Sequence, residues 1–231
     1  MRGAAHRLLS IDIGSRNLAY CVAEAPRALA LDCSAGAGGL RFAAWGVEDI
    51  SSAGGGSGDL IPNAVGLAAR LVEEHGGFDQ VALENQLGKF AARNKMVQSA
   101  LHAAAILLCP GCDVINVSPM CKTALARKLL GPGASQEVIA ASAEGPGRSK
   151  KRSCALVQKT TVIRAAEAFL RCPGSEMHPG AADWMLGLFL GSKKKDDLSD
   201  CLLQALHVLE RAGRLRLRPL APDAPANDGA A

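Results

Sequence analysis

LLSIDIGSRNLAYCV, residues 8–22, is the stretch from which the rest of this chain is read. Residues 8–13 and 18–24 have the apolar, β-branched and aromatic content of two strands, and Gly14 and Asn17 supply turn chemistry between them, so a hairpin is expected. Asp12 lies at the end of the first run. Aspartate is depleted from strands, and a carboxylate bordering a buried element requires a partner.

Moving outward, Leu40 to Val47 forms a third expected strand after the Gly-rich connection Cys33 to Gly39, and SSAGGGSG at 51–58 has the composition of a flexible loop. Pro62 suits a helix start, and Val65, Leu67, Ala68, Leu71 and Val72 continue it until Gly76-Gly77. Gln80 to Leu83 is a short strand delivering Glu84, Phe90 to Leu108 an Ala-rich helix, and Asp113 to Val117 a strand closed by Ser118-Pro119. Three strands in meander order followed by helix, strand, helix and strand indicate an α/β class.

Further on, Gly131 to Arg148 reads as an exposed Gly, Ser and Ala-rich loop, Lys150 to Leu170 as a helix and Ala181 to Leu190 as a short packed helix. In the last element Leu198, Cys201, Leu202, Ala205, Leu206 and Leu209 make one helical face. One domain over 1–218 is expected, with 219–231 a disordered tail rich in Pro and Ala.

The 231 residues are 48 % hydrophobic but only 3 % aromatic, which supports an aliphatic core and leaves little stacking surface for single-stranded bases. Net charge is +4 and the pI about 8.7, compatible with a polyanionic partner. Basic residues gather at Arg148 to Arg152, Lys193 to Lys195 and Arg211 to Arg218. Residues 1–7 carry no apolar signal segment, and no stretch is long enough to span a bilayer, so an intracellular, non-secreted protein with reduced thiols and no membrane partner is expected. Cys109-Pro110-Gly111-Cys112 has CxxC spacing without a second pair, and reads as a turn between helix and strand.

The acids carry the chemistry. Asp12, Glu84 and the run Asp196-Asp197-Leu198-Ser199-Asp200 each border a buried element, so a fold can bring at least four carboxylates together. Asp197 and Asp200 share a helix face at i and i+3, as do Asp196 and Asp200 at i and i+4. Such a cluster needs a cation or must take up protons. With divalent metal it becomes a Mg²⁺-dependent phosphoryl-transfer site, in which two metal ions roughly 3.5–4 Å apart serve in-line attack on a phosphodiester. Capping of the positive helix end accounts for one or two of the three aspartates at 196–200.

LSIDIGSRNLAYCV (9–22), VALENQ (81–86), VINVSPMCK (114–122), KKRS (150–153) and KKKDDLSDCLLQAL (193–206) occur in an order and spacing that resembles the Holliday junction resolvases of the RuvC-like, RNase H-fold superfamily. The similarity is closest to the branch of poxviruses, other large DNA viruses and fungal mitochondria. The resemblance implies an RNase H-like five-stranded mixed sheet with helices on both faces. It also implies a homodimer and Mg²⁺- or Mn²⁺-dependent symmetric nicking of four-way DNA junctions. Asp12, Glu84, Asp197 and Asp200 then correspond to the catalytic, metal-holding acids, with Asp196 a possible substitute. Lys122, Lys150, Lys151 and Arg152 correspond to basic positions that contact DNA.

Gln86, Lys89, Arg93 and Lys95, near Glu84, are further phosphate contacts or an ordinary solvated helix start. The Ala-rich faces of the 90–108 helix suit either a dimer interface or the chain's own core. Two other functions stay open. A strand followed by Asp-Ile-Gly-Ser also resembles the first phosphate loop of actin-like sugar kinases and ATPases, and a non-catalytic branched-DNA-binding protein needs only the basic runs.

Overall fold

The computed structural model describes residues 5–14, 16–26, 39–51, 59–87, 92–143, 150–172 and 179–220, with the backbone alone over 132–143, 150–154 and 179–182. Five strands form one sheet: β1 (Ala5–Ile13), β2 (Asn17–Pro26), β3 (Arg41–Asp49), β4 (Gln80–Glu84) and β5 (Asp113–Val117), in the order β3-β2-β1-β4-β5. β1 pairs antiparallel with β2 and β2 with β3, whereas β1–β4 and β4–β5 are parallel. This is the meander followed by two parallel strands that the sequence implies. β1 lies at the centre, so its residues are paired on both edges.

The hairpin between β1 and β2 closes with the Gly14 N–H donating to the Asn17 carbonyl at 3.0 Å. A Cβ at position 14 would lie 2.8 Å from that oxygen, which is why glycine follows the DI pair. Alternation along β1 then assigns side chains to faces. Leu9, Ile11 and Ile13 point into one core cluster with Leu60, Leu67 and Leu71 of α1 (Leu60–His75) and with Val97 and Leu101 of α2 (Ala92–Leu108). Leu8 points into the other, with the helices that follow β5.

On that second face stand α3 (Met120–Ala143), α4 (Lys150–Arg171), α5 (Pro179–Gly191) and α6 (Lys195–Arg211). Every member of the expected apolar face of α6, from Leu198 to Leu209, is buried. The Trp45 indole of β3 donates to the Leu198 carbonyl at 3.1 Å and stacks on Phe189 of α5, ring centroids 6.0 Å apart. These contacts pin the start of α6 against the sheet. Helices thus cover both faces, as expected.

One expectation needs correction. Residues 120–130 form a helix that no sequence signal announced, and residues 131–143, expected as loop, continue it beyond a break at Gly131 (φ 74°, ψ 175°). Alanine there favours helix more than the Gly and Ser content opposes it; 144–148 fall outside the described residues. The 51–58 loop also lies outside them, except for Ser51. At the end of the expected domain Leu215 and Leu217 are buried and the Leu220 N–H donates to the Leu129 carbonyl at 2.8 Å, while residues 221–231 of the expected tail lie outside the described residues.

The CxxC pair is the turn expected of it, with Cys112 N–H donating to the Cys109 carbonyl at 2.9 Å and Gly111 at φ 81°. All six described cysteines are free thiols. No helix among the described residues is long and apolar enough to cross a membrane.

Candidate active site

Asp12 and Glu84 reach the same face of the sheet by register. Ile11 stands opposite Leu83 in the parallel β1–β4 pair, so one step further along both strands places Asp12 and Glu84 side by side on the face covered by α6. Asp200 enters from the first turns of α6. Lys122 enters from α3, whose start is shaped by Ser118: its hydroxyl accepts from the Met120 N–H at 3.3 Å, and Pro119 needs no N–H partner.

The three carboxylates converge on one ammonium. Lys122 Nζ lies 2.8 Å from Asp12 Oδ1, 2.7 Å from Glu84 Oε1 and 3.1 Å from Asp200 Oδ2. Lys122 is 5 % exposed, so its three donors are spent on these acids rather than offered to solvent. Expected at a DNA-contacting surface, it instead stands inside the acidic cluster.

Side chains behind the acids hold them in place. Gln86 Nε2 donates to the second Glu84 oxygen at 3.0 Å and to the Ile13 carbonyl at 3.2 Å. Asn94 of α2 donates to Gln86 Oε1 at 3.1 Å and also to Ile13, and Gln98 Oε1 accepts from the Gln86 N–H at 3.1 Å. Gln86 is therefore a brace for Glu84, turned inward rather than toward a ligand. Below Asp200, one turn along α6, Gln204 Nε2 donates to the carbonyls of Ile11 and Ala82 at 3.1 Å each, and Ser10 Oγ donates to the Cys201 carbonyl at 3.0 Å. These bonds lock α6 onto β1 and β4 and so set the depth at which Asp200 stands.

The cluster carries more acid than base. Burial raises Asp12 to about 7, against the pull of Lys122, and the Glu84 charge adds to the rise. Burial likewise raises Asp200 to about 6, again opposed by Lys122. Burial works against the Lys122 charge, but the surrounding Asp12, Asp200 and Glu84 outweigh it and the ammonium is held more firmly than usual. Cys121 beside it is pushed up to about 11 by burial and stays a thiol.

The other expected site residues are placed differently. Asp197 is not among the acids paired with the ammonium; it accepts from Asn17 Nδ2 at 3.4 Å, with Lys194 Nζ at 3.7 Å. Asp196 pairs with Lys159 Nζ of α4 at 2.5 Å, and Lys159 outweighs partial burial to lower its pKa. The Asp196 carboxylate also accepts from the backbone N–H groups of Asp196 and Asp197 in the first turn of α6, the helix-end role expected of one or two of these acids. Arg93 and Lys95 are exposed near the start of α2, whereas Lys89 lies outside the described residues. Lys150, Lys151 and Arg152 form the first turn of α4, and their side chains lie outside the described residues.

Among the described residues no three His, Cys, Asp or Glu side chains are arranged to hold a metal ion as they stand, because Lys122 Nζ takes the point of convergence. The donor set nonetheless fits a hard divalent cation. Its atoms are carboxylate oxygens from three separate elements, and a cation already stands between them. The cleft above, about 280 Å³, is lined by Glu84, Lys122, Gln158, Lys159, Asp196 and Asp200 among others. Lys159, Asn94, Gln98 and Gln204 were not anticipated; the first three lie on other helices than the aspartates and outside the motif blocks, whereas Gln204 follows Asp200 by one turn inside the last block, and its signal was a polar side chain on the otherwise apolar face of α6.

No family model and no curated protein matches the chain. Among solved structures it is similar to the yeast mitochondrial Holliday junction resolvase Ydc2 at 15 % identity and TM-score 0.53, covering 90 % of this chain and 81 % of that one. Thermus thermophilus RuvC aligns at 16 % identity and TM-score 0.49, covering 93 % and 99 %. The first likeness establishes the fold, the RNase H-like α/β arrangement that the motif blocks imply.

Proposed function

We propose that this chain is a divalent-metal-dependent endonuclease that resolves four-way DNA junctions by paired symmetric nicks. The observation that carries this reading is the meeting of Asp12, Glu84 and Asp200, from β1, β4 and α6, around a single cation at the end of the central strands. The shared fold with a structure described as a Holliday junction resolvase supports it, and so do the five motif blocks in their order along the chain.

Asp12, Glu84 and Asp200 would hold Mg²⁺ or Mn²⁺, and Asp197 is available to a second ion if it leaves Asn17 and Lys194. The metal supplies Lewis acidity to a phosphodiester. The chain's own residues do the rest. Gln86, Asn94 and Gln204 keep the carboxylates oriented before substrate arrives, so little reorganisation is left for the reaction. Lys122, once the acids hold a metal, is a buried ammonium free to meet a phosphate oxygen. Arg93 and the basic turn Lys150, Lys151 and Arg152 contact the DNA backbone on either side and orient it without reading sequence.

Paired nicking calls for two sites related by a two-fold axis, hence a homodimer. α2 is suited to the contact: Val97, Leu101, Ala104 and Ala105 are buried in its own core, while Met96, Ile106 and Leu107 on its other side are exposed. Those exposed apolar side chains are the proposed dimer surface.

The reading is tested by incubating purified protein with labelled four-way junction, duplex, flap and RNA:DNA hybrid, with and without Mg²⁺, while following its mass by sedimentation. Metal-dependent cutting of the junction by a dimer is the expected result. Equal cutting of duplex and junction, or ATP turnover without DNA, would overturn it.

A further inference from the structure

We infer that Cys109 and Cys112 form a redox-modification site, at which a low-molecular-weight disulfide such as oxidised glutathione converts two thiols into a disulfide that staples the last turn of α2 to β5. The inference is independent of the nuclease reading and concerns a part of the chain that reading leaves unused.

Backbone geometry carries it first. The Cys112 N–H donates to the Cys109 carbonyl at 2.9 Å, which closes a four-residue β-turn. Pro110 and Gly111 fill its centre, and Gly111, at φ 81°, supplies the positive angle that a type II turn needs at its third position. The ends of a β-turn lie within about 7 Å of each other, Cα to Cα, and a disulfide spans about 4.4–6.8 Å. Both ends are also fixed from outside the turn. The Cys109 N–H donates to the Ala105 carbonyl at 2.9 Å, and the Asp113 N–H to the Asp79 carbonyl at 2.9 Å. The turn therefore holds bridging spacing while still reduced, and closing the bond asks little movement of the backbone.

The side chains agree. Cys109 is buried in the core cluster between α1, α2 and the sheet, and Cys112 packs against that same cluster. Cys112 Sγ donates to the Ala105 carbonyl at 3.4 Å, the acceptor that the Cys109 N–H also uses, so its sulfur lies over the last turn of α2, beside Cys109. Burial raises the pKa of Cys112, with Cys109 the next cause and Asp113 after it, so its attack is slow at neutral pH and the site answers to a sustained oxidant. Access separates this pair from Cys21 and Cys201, which also lie near one another but are both fully buried. Cys112 is only half-buried, which gives an oxidant its way in.

The exchange balances in two steps. Cys112, as thiolate, attacks one sulfur of the oxidant RSSR; the S–S bond breaks, RS⁻ leaves and takes up a proton, and a mixed disulfide stays on Cys112. Cys109 then loses its proton and attacks the Cys112 sulfur, expelling the second RS⁻, which is protonated in turn. Two thiols have given up two electrons and two protons, and one RSSR has become two RSH.

The experiment incubates the folded chain with excess oxidised glutathione, then denatures it, alkylates free thiols with N-ethylmaleimide and digests with trypsin. The peptide spanning residues 96–122 holds Cys109, Cys112 and Cys121. One label, on Cys121, with the mass of two hydrogens lost, is the expected result, and dithiothreitol before alkylation should restore labels on all of them. Oxidation should raise the thermal midpoint by about 3–8 °C, the scale of closing so short a loop in a chain of this size. A double variant, Cys109→Ala with Cys112→Ala, should show no rise under the same treatment. Cys109→Ala alone should stop at the mixed disulfide, with glutathione retained on Cys112, and Cys112→Ala should leave the buried Cys109 unmodified.

Labels on Cys109 or Cys112 in the oxidised chain would overturn the inference. So would glutathione persisting on Cys112 of the unmodified chain, which would mean that Cys109 cannot reach it, or an equal rise of the midpoint in the double variant. None of these readouts involves DNA, so the site stands or falls apart from the nuclease reading.

Discussion

Lys122 Nζ stands 2.8 Å from Asp12 Oδ1 although 110 residues separate the two in the chain. One ammonium thereby balances carboxylates from three elements, in the place where a divalent ion would be most strongly attracted. Lysine and metal are therefore competitors for the same oxygens. Replacing Lys122 by Met is expected to tighten Mn²⁺ binding by at least about tenfold, well within the few kcal/mol that two charges 4 Å apart exchange at an effective dielectric near 20. The same change should lower the thermal midpoint in chelator, because three buried acids lose their partner, and added Mn²⁺ should recover it. Calorimetric titration decides the matter: unchanged or weaker metal affinity in Lys122→Met would show that the two cations do not compete.

The acids also make stability depend on pH. Asp12 is raised to about 7 and Asp200 to about 6, from an ordinary 3.8. Both hold protons more tightly in the folded chain, so their contribution is fully present below about pH 4 and is lost as pH climbs through 6 and 7. Lys122, raised in the folded chain, acts only above its ordinary range and leaves this window untouched. Urea midpoints measured in chelator should fall from pH 5 to pH 7.5, and excess Mg²⁺ should flatten the profile. A midpoint that climbs over that range would contradict the burial argument.

Loss of individual carboxylates should not be equal. Asp12→Asn, Glu84→Gln and Asp200→Asn are each expected to lower cleavage by about 10²-fold or more, the scale of losing several kcal/mol of charge stabilisation, while junction binding persists. Asp197→Asn should cost less, because Asp197 is engaged with Asn17 and Lys194 instead of the common cation. Single-turnover rates on a labelled junction measure this order. An Asp197 variant as inactive as the Asp12 variant would place the fourth acid in the reaction despite its position here.

Gln204 bridges α6 to two strands from a fully buried position. Gln204→Met keeps the volume but removes both donations, and is expected to destabilise by about 1–3 kcal/mol. Because α6 also carries Asp200, metal affinity should weaken in parallel. Chemical denaturation without any change of midpoint would show that the bridge does not hold the helix.

Replacing Lys150, Lys151 and Arg152 together should weaken junction binding and flatten its salt dependence, with a slope change of about two to three for three lost phosphate contacts. Binding titrations at several salt concentrations read that slope directly. A slope equal to that of the unmodified chain would assign the basic turn to ordinary solvated surface.

Much of the scaffold was legible in the chain. Alternation around Asp12, the glycine after Ile13 and the apolar face of α6 each follow from local rules: period two in strands, period 3.6 in helices, and a close approach that only glycine tolerates. The sheet order follows from three successive strands and two helix-linked ones. Residues 131–143 were misread as loop because helix propensity and loop composition overlap where Ala, Gly and Ser mix.

The site was legible only in part. Sequence alone identified which acids were available, since Asp and Glu at the borders of buried elements are costly without a purpose, and it identified the order of strands that carries two of them to the same end of the sheet. Spacing on a helix placed Asp197 and Asp200 on one side, yet only Asp200 turns toward Asp12, because the hydrogen bonds of Ser10 and Gln204 set the rotation and depth of α6. Tertiary structure alone decided that Lys122 would be the shared counter-charge and that Lys159 would pair with Asp196. Coulomb attraction depends on distance through space, and nothing in a linear chain states which ammonium will end up closest to which carboxylate.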